Sequence, residues 1–429
     1  MSSSTKVAPP IRKLDLHWVR RQFPSLQQTV NGQPAVFFDA PGGTQVPQRV
    51  IDAISKYLSK WNANLGGAFL TSQRSDLVVD QAHQAMADFL NCAPDEVVFG
   101  ANMTTLTFAL SRAIGRELKN GDELLVTCLD HDANVSPWVC LEERGAKVRT
   151  ADIKIADCTL DMFDLQAKIR RSTKLVAVGW AANAVGTIND VQEAIRLAHA
   201  VGAMTFIDAV HYAPHGLIDV KAIDADFLAC SSYKFFGPHQ GILYGKREQL
   251  QRLRPYKLRV CSEKLPDRWE TGTQNHECMA GVAAAIDYIA DVGRHHSSEV
   301  HTRREAIVAA YEVFEQHERE LAEQLINGLL AIPDLTFYGI TDSARFDQRT
   351  PTVAIRMEGY NPRELATQLG ERGIFTWDGN YYAINLAERL GVQQSGGMLR
   401  IGLAHYNTAE EVERLLAELG NLAKKRKTA

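Results

Sequence analysis

The chain has 429 residues, of which 45% are apolar, and this is enough to bury a large core divided between two lobes. Its formal net charge is −4, with 47 basic and 51 acidic side chains, so a small charged metabolite fits better than nucleic acid or an anionic membrane surface. No apolar run reaches the roughly 20 residues that cross a bilayer.

The seven cysteines are odd in number and scattered, with no C-x-x-C pair to suggest zinc or redox chemistry. We expect them to be reduced and mostly buried as small apolar side chains, and we expect no metal site. The N-terminal stretch is too polar for a secretory signal. These features predict a cytoplasmic protein.

The first part of the chain, residues 1–45, is predicted to form an arm with a turn at Asn31-Gly32 before the short strand AVFFDA. The segment PGGTQVP then breaks the chain before the helix VIDAISKYLSKW. Within residues 46–285, helical segments alternate with seven apolar runs: EVVFG, ELLVTCL, KVRTAD, LVAVGWA, MTFIDAV, ADFLACSS and GILYGK. Such alternation is typical of an α/β domain with a mostly parallel sheet.

The pattern changes in the last part of the chain. A long amphipathic helix is predicted in EVHTRREAIVAAYEVFEQHERELAEQLINGLL, followed by strands in PTVAIRM and GGMLRIGL. We therefore predict that residues 286–429 form a second, smaller α+β domain.

Two side chains at the ends of predicted strands indicate the chemistry. Asp208 ends the strand in FIDAVHYAPH and Lys234 follows the one in LACSSYKFFGP, where the apolar Phe235 and Phe236 would desolvate its amine. Open α/β sheets bind ligands at the carboxyl ends of their strands. Pyridoxal 5′-phosphate (PLP) needs this pair, because the amine forms an imine with its aldehyde and the carboxylate keeps its pyridine nitrogen protonated.

The order of these segments resembles the class V aminotransferase family of fold-type I PLP enzymes, in particular the group II cysteine desulfurases and selenocysteine lyases. The resemblance covers nearly the whole chain. It implies PLP as cofactor and a large domain with a mostly parallel seven-stranded sheet beside the smaller domain. It also implies a homodimer with shared active sites, in which the loop RWETGTQN crosses to the neighbouring subunit.

The resemblance also implies the cofactor contacts. The phosphate would lie at the start of the helix in ANMTTLTFAL, and the ring of His131 would stack on the cofactor. Tyr233 stands where desulfurases usually carry histidine, and His211 stands where relatives commonly have glutamine near the 3-oxygen. The full predicted set is Lys234, Asp208, His211, His131, Thr104, Thr105, Asn183, Ser231, Tyr233 and Thr273.

For the substrate, the resemblance assigns the α-carboxylate to Arg400, with Asn183 nearby and Trp377 in an apolar pocket wall. Desulfurases carry an arginine, a glycine, two histidines and a nucleophilic cysteine before the final strands. Here the stretch reads GIFTWDGNYYAINLAERLG, and alignment on Gly379 places Tyr382 where the cysteine would be. A phenol cannot replace the thiolate that accepts sulfur, so persulfide formation is not expected.

The chemistry left open is that which PLP supports without a thiol. Lys234 would take the α-proton, and Tyr381, Tyr382 and His131 complete the predicted catalytic set. We rank β-elimination as a C–S lyase first, with epimerisation, carbon–carbon bond formation and transamination open. A desulfurase that uses a cysteine from elsewhere, such as Cys278, and an inactive scaffold are weaker alternatives. Nucleotide-binding enzymes are weaker still, because the Walker and G-x-G-x-x-G patterns are missing.

Overall fold

The computed structural model describes residues 13–427, so the first twelve residues of the predicted N-terminal arm lie outside the described range. The described part of the arm contains the predicted turn, where Asn31 and Gly32 both have positive φ. Three short strands lie here: β1 (Thr29–Val30), β2 (Gln33–Pro34) and β3 (Val36–Phe37). β1 and β2 form an antiparallel hairpin across the turn.

The central feature is a seven-stranded sheet, with each strand formed by one of the seven predicted apolar runs. In chain order, the strands of this region are β4 (Val97–Gly100), β5 (Glu123–Thr127), β6 (Lys147–Ala151), β7 (Ile153–Lys154), β8 (Thr159–Leu160), β9 (Thr173–Gly179), β10 (Met204–Asp208), β11 (Phe227–Ser231) and β12 (Gly241–Gly245). The sheet order is β4-β12-β11-β10-β9-β5-β6, while β7 and β8 form a separate hairpin. Within this sheet, β12 runs opposite to the other six strands, which agrees with the prediction of a mostly parallel sheet.

Helices cover both faces of this sheet, which explains why its strands, apart from the edge strand β6, are largely apolar without alternation. On β11, Phe227 and Ala229 belong to one buried core, and Leu228 and Cys230 belong to another on the opposite face. The helices in chain order are α1 (Leu16–Arg20), α2 (Gln48–Lys60), α3 (Leu70–Leu90), α4 (Met103–Ile114), α5 (Ser136–Val139), α6 (Met162–Lys168), α7 (Val191–His199), α8 (Val220–Ile223), α9 (Arg247–Arg252), α10 (His276–His296), α11 (Arg303–Leu330), α12 (Pro362–Glu371), α13 (Ile384–Arg389) and α14 (Ala409–Lys427).

The long predicted helix is present as α11, which begins at a capping box of Thr302 and Glu305. It leads to a four-stranded antiparallel sheet with the order β13-β14-β17-β16 and a buried apolar core of its own. The strands of the C-terminal part are β13 (Leu335–Tyr338), β14 (Thr352–Met357), β15 (Ile374–Phe375), β16 (Trp377–Gly379) and β17 (Met398–Gly402).

The N-terminal part is tied to the C-terminal part through β3, which pairs in parallel with β15. This pairing brings residues 41–44, which follow β3, close to the end of β11, where the Thr44 amide donates to the carbonyl of Tyr233. Among residues 13–427, no helix combines the length and the apolar character needed to cross a bilayer.

Candidate active site

Asp208 and Lys234 lie at the same edge of the main sheet. β10 ends at Asp208, and the neighbouring parallel strand β11 is followed by a short 3₁₀ turn, Ser232–Lys234. Both side chains line one cavity of about 550 Å³. The predicted residues that line it are Lys234, Asp208, His211, His131, Thr104, Asn183, Ser231, Tyr233, Arg400, Trp377, Tyr381 and Tyr382.

The Lys234 amine lies in a site that disfavours its charged form. Its Nζ donates to the backbone carbonyls of Pro41 and Gly42. Burial and the nearby charge of Arg400 together lower the pKa of Lys234 to about 7, and the charge of Asp208 opposes this shift. Burial raises the pKa of Asp208 to about 6, although its carboxylate accepts from the amide of Val210 at 2.9 Å.

One end of the cavity is formed by the start of helix α4. The side chain of Asn102 caps this helix, accepting from both the amide and the hydroxyl of Thr105 at 2.8 Å. The Thr105 hydroxyl is therefore engaged in the cap and does not line the cavity, whereas Thr104 does. Gly241 packs against this turn, because a Cβ there would lie 2.2 Å from the carbonyl carbon of Asn102.

The segment after β5 contributes His131 and a carboxylate that the sequence analysis missed. His131 Nδ1 accepts from the amide of Ala133 at 3.0 Å, which leaves the ring proton on Nε2. Burial and the charge of Lys234 lower the pKa of His131 to about 4. The missed residue, Asp130, accepts from the amide of Gly179 at 2.8 Å, and burial raises its pKa to about 8. In the sequence, the only feature that indicates a role for Asp130 is its position next to His131 at the end of a strand.

Two further rings lie near the amine. The Lys234 Nζ is 4.8 Å from the centroid of the Tyr233 ring, which in turn stacks on His239. His211 follows β10, and its Nε2 is 3.3 Å from the hydroxyl of Thr350. Burial holds the pKa of His211 well below its usual range, so its imidazole is neutral.

The opposite wall carries Arg400 on β17. Its Nη1 donates to the carbonyl of Asn183 at 2.8 Å, and its guanidinium lies 4.2 Å from the centroid of the Tyr381 ring. The Asn183 amide donates to the carbonyl of Tyr381 at 2.8 Å, while the Tyr381 hydroxyl donates to the carbonyl of Met398. The hydroxyl of Tyr381 is thus bound to the backbone. Burial lowers the pKa of Arg400 to about 10.

The cavity mouth is aromatic. Trp377 and Tyr382 are 47% and 69% exposed, and the Tyr382 ring centroid is 5.4 Å from that of His131. Thr273 lies in an exposed loop before α10 and does not line the cavity. All seven cysteines lie within residues 13–427, and none of them lines the cavity.

The residues present fit PLP. The cavity joins a buried amine of lowered pKa to a buried carboxylate and to the start of a twelve-residue helix, where free backbone amides favour a phosphate. On its other wall, Asn183 Oδ1 and Arg400 Nε are buried without a hydrogen-bond partner among the described residues. Bound PLP would bring its aldehyde to the amine, its pyridine nitrogen to the carboxylate and its phosphate to the helix start, while a substrate carboxylate would supply an acceptor for Arg400 Nε.

Comparison with known proteins agrees with this fit. The class V aminotransferase profile matches residues 36–415. A cysteine desulfurase from Synechococcus elongatus is 34% identical over 425 residues, covering 94% of this chain and 63% of that protein. This chain therefore spans less than two thirds of that relative. A probable cysteine desulfurase from Vibrio cholerae is 33% identical, covering 95% of this chain and 98% of that protein. An aminotransferase-like protein from Gibberella zeae is 31% identical, with 94% and 96% covered.

Solved structures of cysteine desulfurases have the same fold as this chain. The apo structure of a cysteine desulfurase from Thermococcus onnurineus has a TM-score of 0.85 at 25% identity, covering 96% of this chain and 99% of that one. A cysteine desulfurase from Escherichia coli has a TM-score of 0.82 at 26% identity, with the same coverage. The predicted fold-type I architecture is confirmed. With the profile matched along most of its length, the chain belongs to the class V aminotransferase family and is a PLP-dependent enzyme.

Proposed function

We propose that the protein is a C–S lyase, which eliminates a sulfur leaving group from the β-carbon of an amino acid without forming a persulfide on the enzyme. The observation that carries this proposal is the composition of the cavity. It contains the amine, carboxylate and guanidinium of Lys234, Asp208 and Arg400, but no thiol.

The roles of the chain's residues follow from their environments. Bound PLP supplies an electron sink for the charge left at the substrate α-carbon. Asp208 would hold the pyridine nitrogen protonated, His131 would stack on the ring, and Thr104 and Ser231 would contact the phosphate. The Lys234 amine, with a pKa of about 7, is suited to accept the α-proton near neutral pH.

The elimination balances without an external oxidant or reductant. The α-proton moves to Lys234 Nζ, the C–S bond breaks, and the sulfur leaves with the bonding electron pair as a thiol. Tyr382 lies at the mouth, and its phenol would donate a proton to the departing sulfur. Water then releases ammonia and a keto acid from the remaining three-carbon fragment.

The mouth favours a substrate larger than cysteine. Trp377 and Tyr382 present exposed aromatic faces there, which suits an apolar substituent on the sulfur. Arg400 would bind the α-carboxylate and leave the side chain directed towards these rings. An S-substituted cysteine, a thioether, fits this arrangement better than free cysteine.

A cysteine desulfurase reaction is the weaker proposal. It needs a thiolate at the cavity, and Tyr382 stands where the resemblance places that cysteine. Cys278, the alternative sulfur acceptor, lies in the first turn of α10 outside the cavity, and burial raises the pKa of its thiol.

The proposal includes a homodimer with shared active sites in the cytoplasm, where free thiols such as these are maintained. Thr273 is exposed and lies outside its own chain's cavity, as a residue donated to a second copy would. Large exposed apolar side chains also mark interaction surfaces. They occur in residues 58–70 and 256–260, as Leu58, Leu65, Phe69, Leu70, Tyr256, Leu258 and Val260.

The test is a panel of amino acids given to the purified holoenzyme, with thiol, ammonia, keto acid and the configuration of the α-carbon measured together. We expect a cysteine thioether to yield equal amounts of thiol, ammonia and keto acid. Lys234→Ala should abolish release, whereas Lys168→Ala, which removes a half-buried lysine paired with Asp164, should not. Inversion of the α-carbon without thiol release, a keto acid without thiol, or a protein-bound persulfide would replace elimination by another reaction.

A further inference from the structure

The buried guanidinium of Arg400 has no carboxylate in contact. Its side chain is 5% exposed, and no carboxylate of residues 13–427 lies within ion-pair distance. Asp39 forms no ion pair with Arg400 in the described part of the chain and acts on the guanidinium only through space. A buried cation that no anion contacts is costly, so the groups that do contact it are needed to stabilise and orient it.

Tyr381 fills this role through a closed set of contacts. Its ring lies 4.2 Å from the guanidinium, and the same guanidinium donates to the carbonyl of Asn183. The Asn183 side chain returns to the carbonyl of Tyr381, and the Tyr381 hydroxyl donates to Met398, two residues before Arg400 on β17. Tyr381, Arg400 and Asn183 therefore each contact the other two.

The backbone is shaped to present this ring. Tyr381 and Tyr382 have φ of 55° and 60°, in the left-handed region that residues with side chains rarely adopt. The hydrogen bond from Asn183 to the Tyr381 carbonyl stabilises this turn. As a result, one tyrosine packs against Arg400 and the next one stands 69% exposed at the mouth.

An aromatic face has a chemical advantage over a carboxylate at this place. It attracts the cation without accepting its N–H groups, whereas a carboxylate would occupy the donors that a substrate needs. Arg400 Nε accordingly has no partner among the described residues. We propose that Tyr381 is a positioning residue that holds Arg400 ready for an α-carboxylate and makes the site select acids over their amides. This inference deepens the proposed function, because it assigns substrate selectivity to the same cavity.

The test measures binding instead of turnover. An S-substituted cysteine and its α-carboxamide are mixed with the holoenzyme by stopped flow over a range of concentrations, and the change in cofactor absorption before turnover gives Kd for each. Tyr381→Leu removes the ring and is expected to weaken binding of the acid about tenfold, or about 1.4 kcal/mol, while the amide changes less than about twofold. Tyr381→Phe keeps the ring and loses only the anchor to Met398, so we expect a rise in Kd of about threefold.

Tyr360→Phe is the matched control, since its hydroxyl also donates to a backbone carbonyl, that of Leu422, outside the cavity. It should bind both ligands as the unchanged enzyme does. Equal weakening of acid and amide, or no effect on the acid, would overturn the role of Tyr381. If Tyr381→Leu does not fold, the Kd values of Tyr381→Phe decide. A rise in Kd for the acid alone would support the role of Tyr381, and an equal rise for acid and amide would overturn it. Acid binding without any thiol release would reject the lyase reaction and leave the positioning role in place.

Discussion

The lowered pKa of Lys234 predicts how cofactor-free protein captures PLP. Only the neutral amine attacks the aldehyde, so the capture rate should follow the neutral fraction of Lys234. Burial lowers its pKa to about 7, compared with 10.5 for an exposed lysine. The neutral fraction is then about 1% at pH 5, about 50% at pH 7 and about 90% at pH 8, whereas an exposed lysine is only about 0.03% neutral at pH 7. We expect the rate to rise about fifty-fold between pH 5 and 7 and to level off above pH 8.

The assay is a stopped-flow measurement of the imine absorption band after PLP is added to cofactor-free protein over a range of pH. The same measurement with Nα-acetyl-lysine gives the cofactor's own titration, which is subtracted. Two variants separate the charges around the amine. Arg400→Gln removes a cation that lowers the pKa of Lys234, so the midpoint should move up. Asp208→Asn removes an anion that raises it, so the midpoint should move down.

Two results would refute this reasoning. The first is a capture rate that keeps rising to pH 10 without a plateau, which would mean that the amine titrates as an exposed lysine. The second is a shift of the midpoint in the same direction for Arg400→Gln and Asp208→Asn. Both substitutions leave the Lys234 amine buried and change only a neighbouring charge. The electrostatic account therefore requires that the two midpoints shift in opposite directions.

Two further predictions concern the helix start and the assembly. Gly241→Ala places a methyl group 2.2 Å from the backbone of Asn102 and should weaken PLP retention on dialysis at least tenfold, whereas Gly420→Ala, which meets nothing within 4 Å, should leave it unchanged. Light scattering should give twice the chain mass of 47.6 kDa, and Thr273→Val should weaken PLP retention in that dimer. A monomer that retains PLP fully would contradict the shared active site.

The main sheet could be predicted because all of its strands except the edge strand β6, where Lys147 and Thr150 are exposed, are largely apolar runs that both faces of the sheet bury. Phe227 and Leu228 are adjacent in sequence and lie in different cores, so the run has no polar interruption. The meeting of Asp208 and Lys234 followed from the same logic, since parallel strands end at one edge.

The contacts that set the electrostatics could not be predicted, because they join distant parts of the chain. The carbonyls of Pro41 and Gly42 reach Lys234 across more than 190 residues of sequence, through the pairing of β3 with β15. The sequence predicts Tyr381 only as a member of the catalytic set. The structure binds its hydroxyl to Met398, a contact that no local pattern indicates.

The cavity therefore has two walls of different structural origin. The wall that would hold the cofactor comes from strand ends of the large sheet, where Asp208 and Lys234 are placed by the register of β10 and β11. The wall that would meet the substrate comes from the smaller sheet, where Trp377 precedes the left-handed turn at Tyr381 and Tyr382. The turn is tied to the segments that follow β5 and β9 by its backbone, because the carbonyl of Tyr382 accepts from the amide of Asp132 and the carbonyl of Tyr381 accepts from the side chain of Asn183. These bonds do not depend on the identity of the two side chains. Under the proposed function, this arrangement would let one chain keep the cofactor chemistry of its family while a phenol, and not a thiol, lies at the cavity mouth.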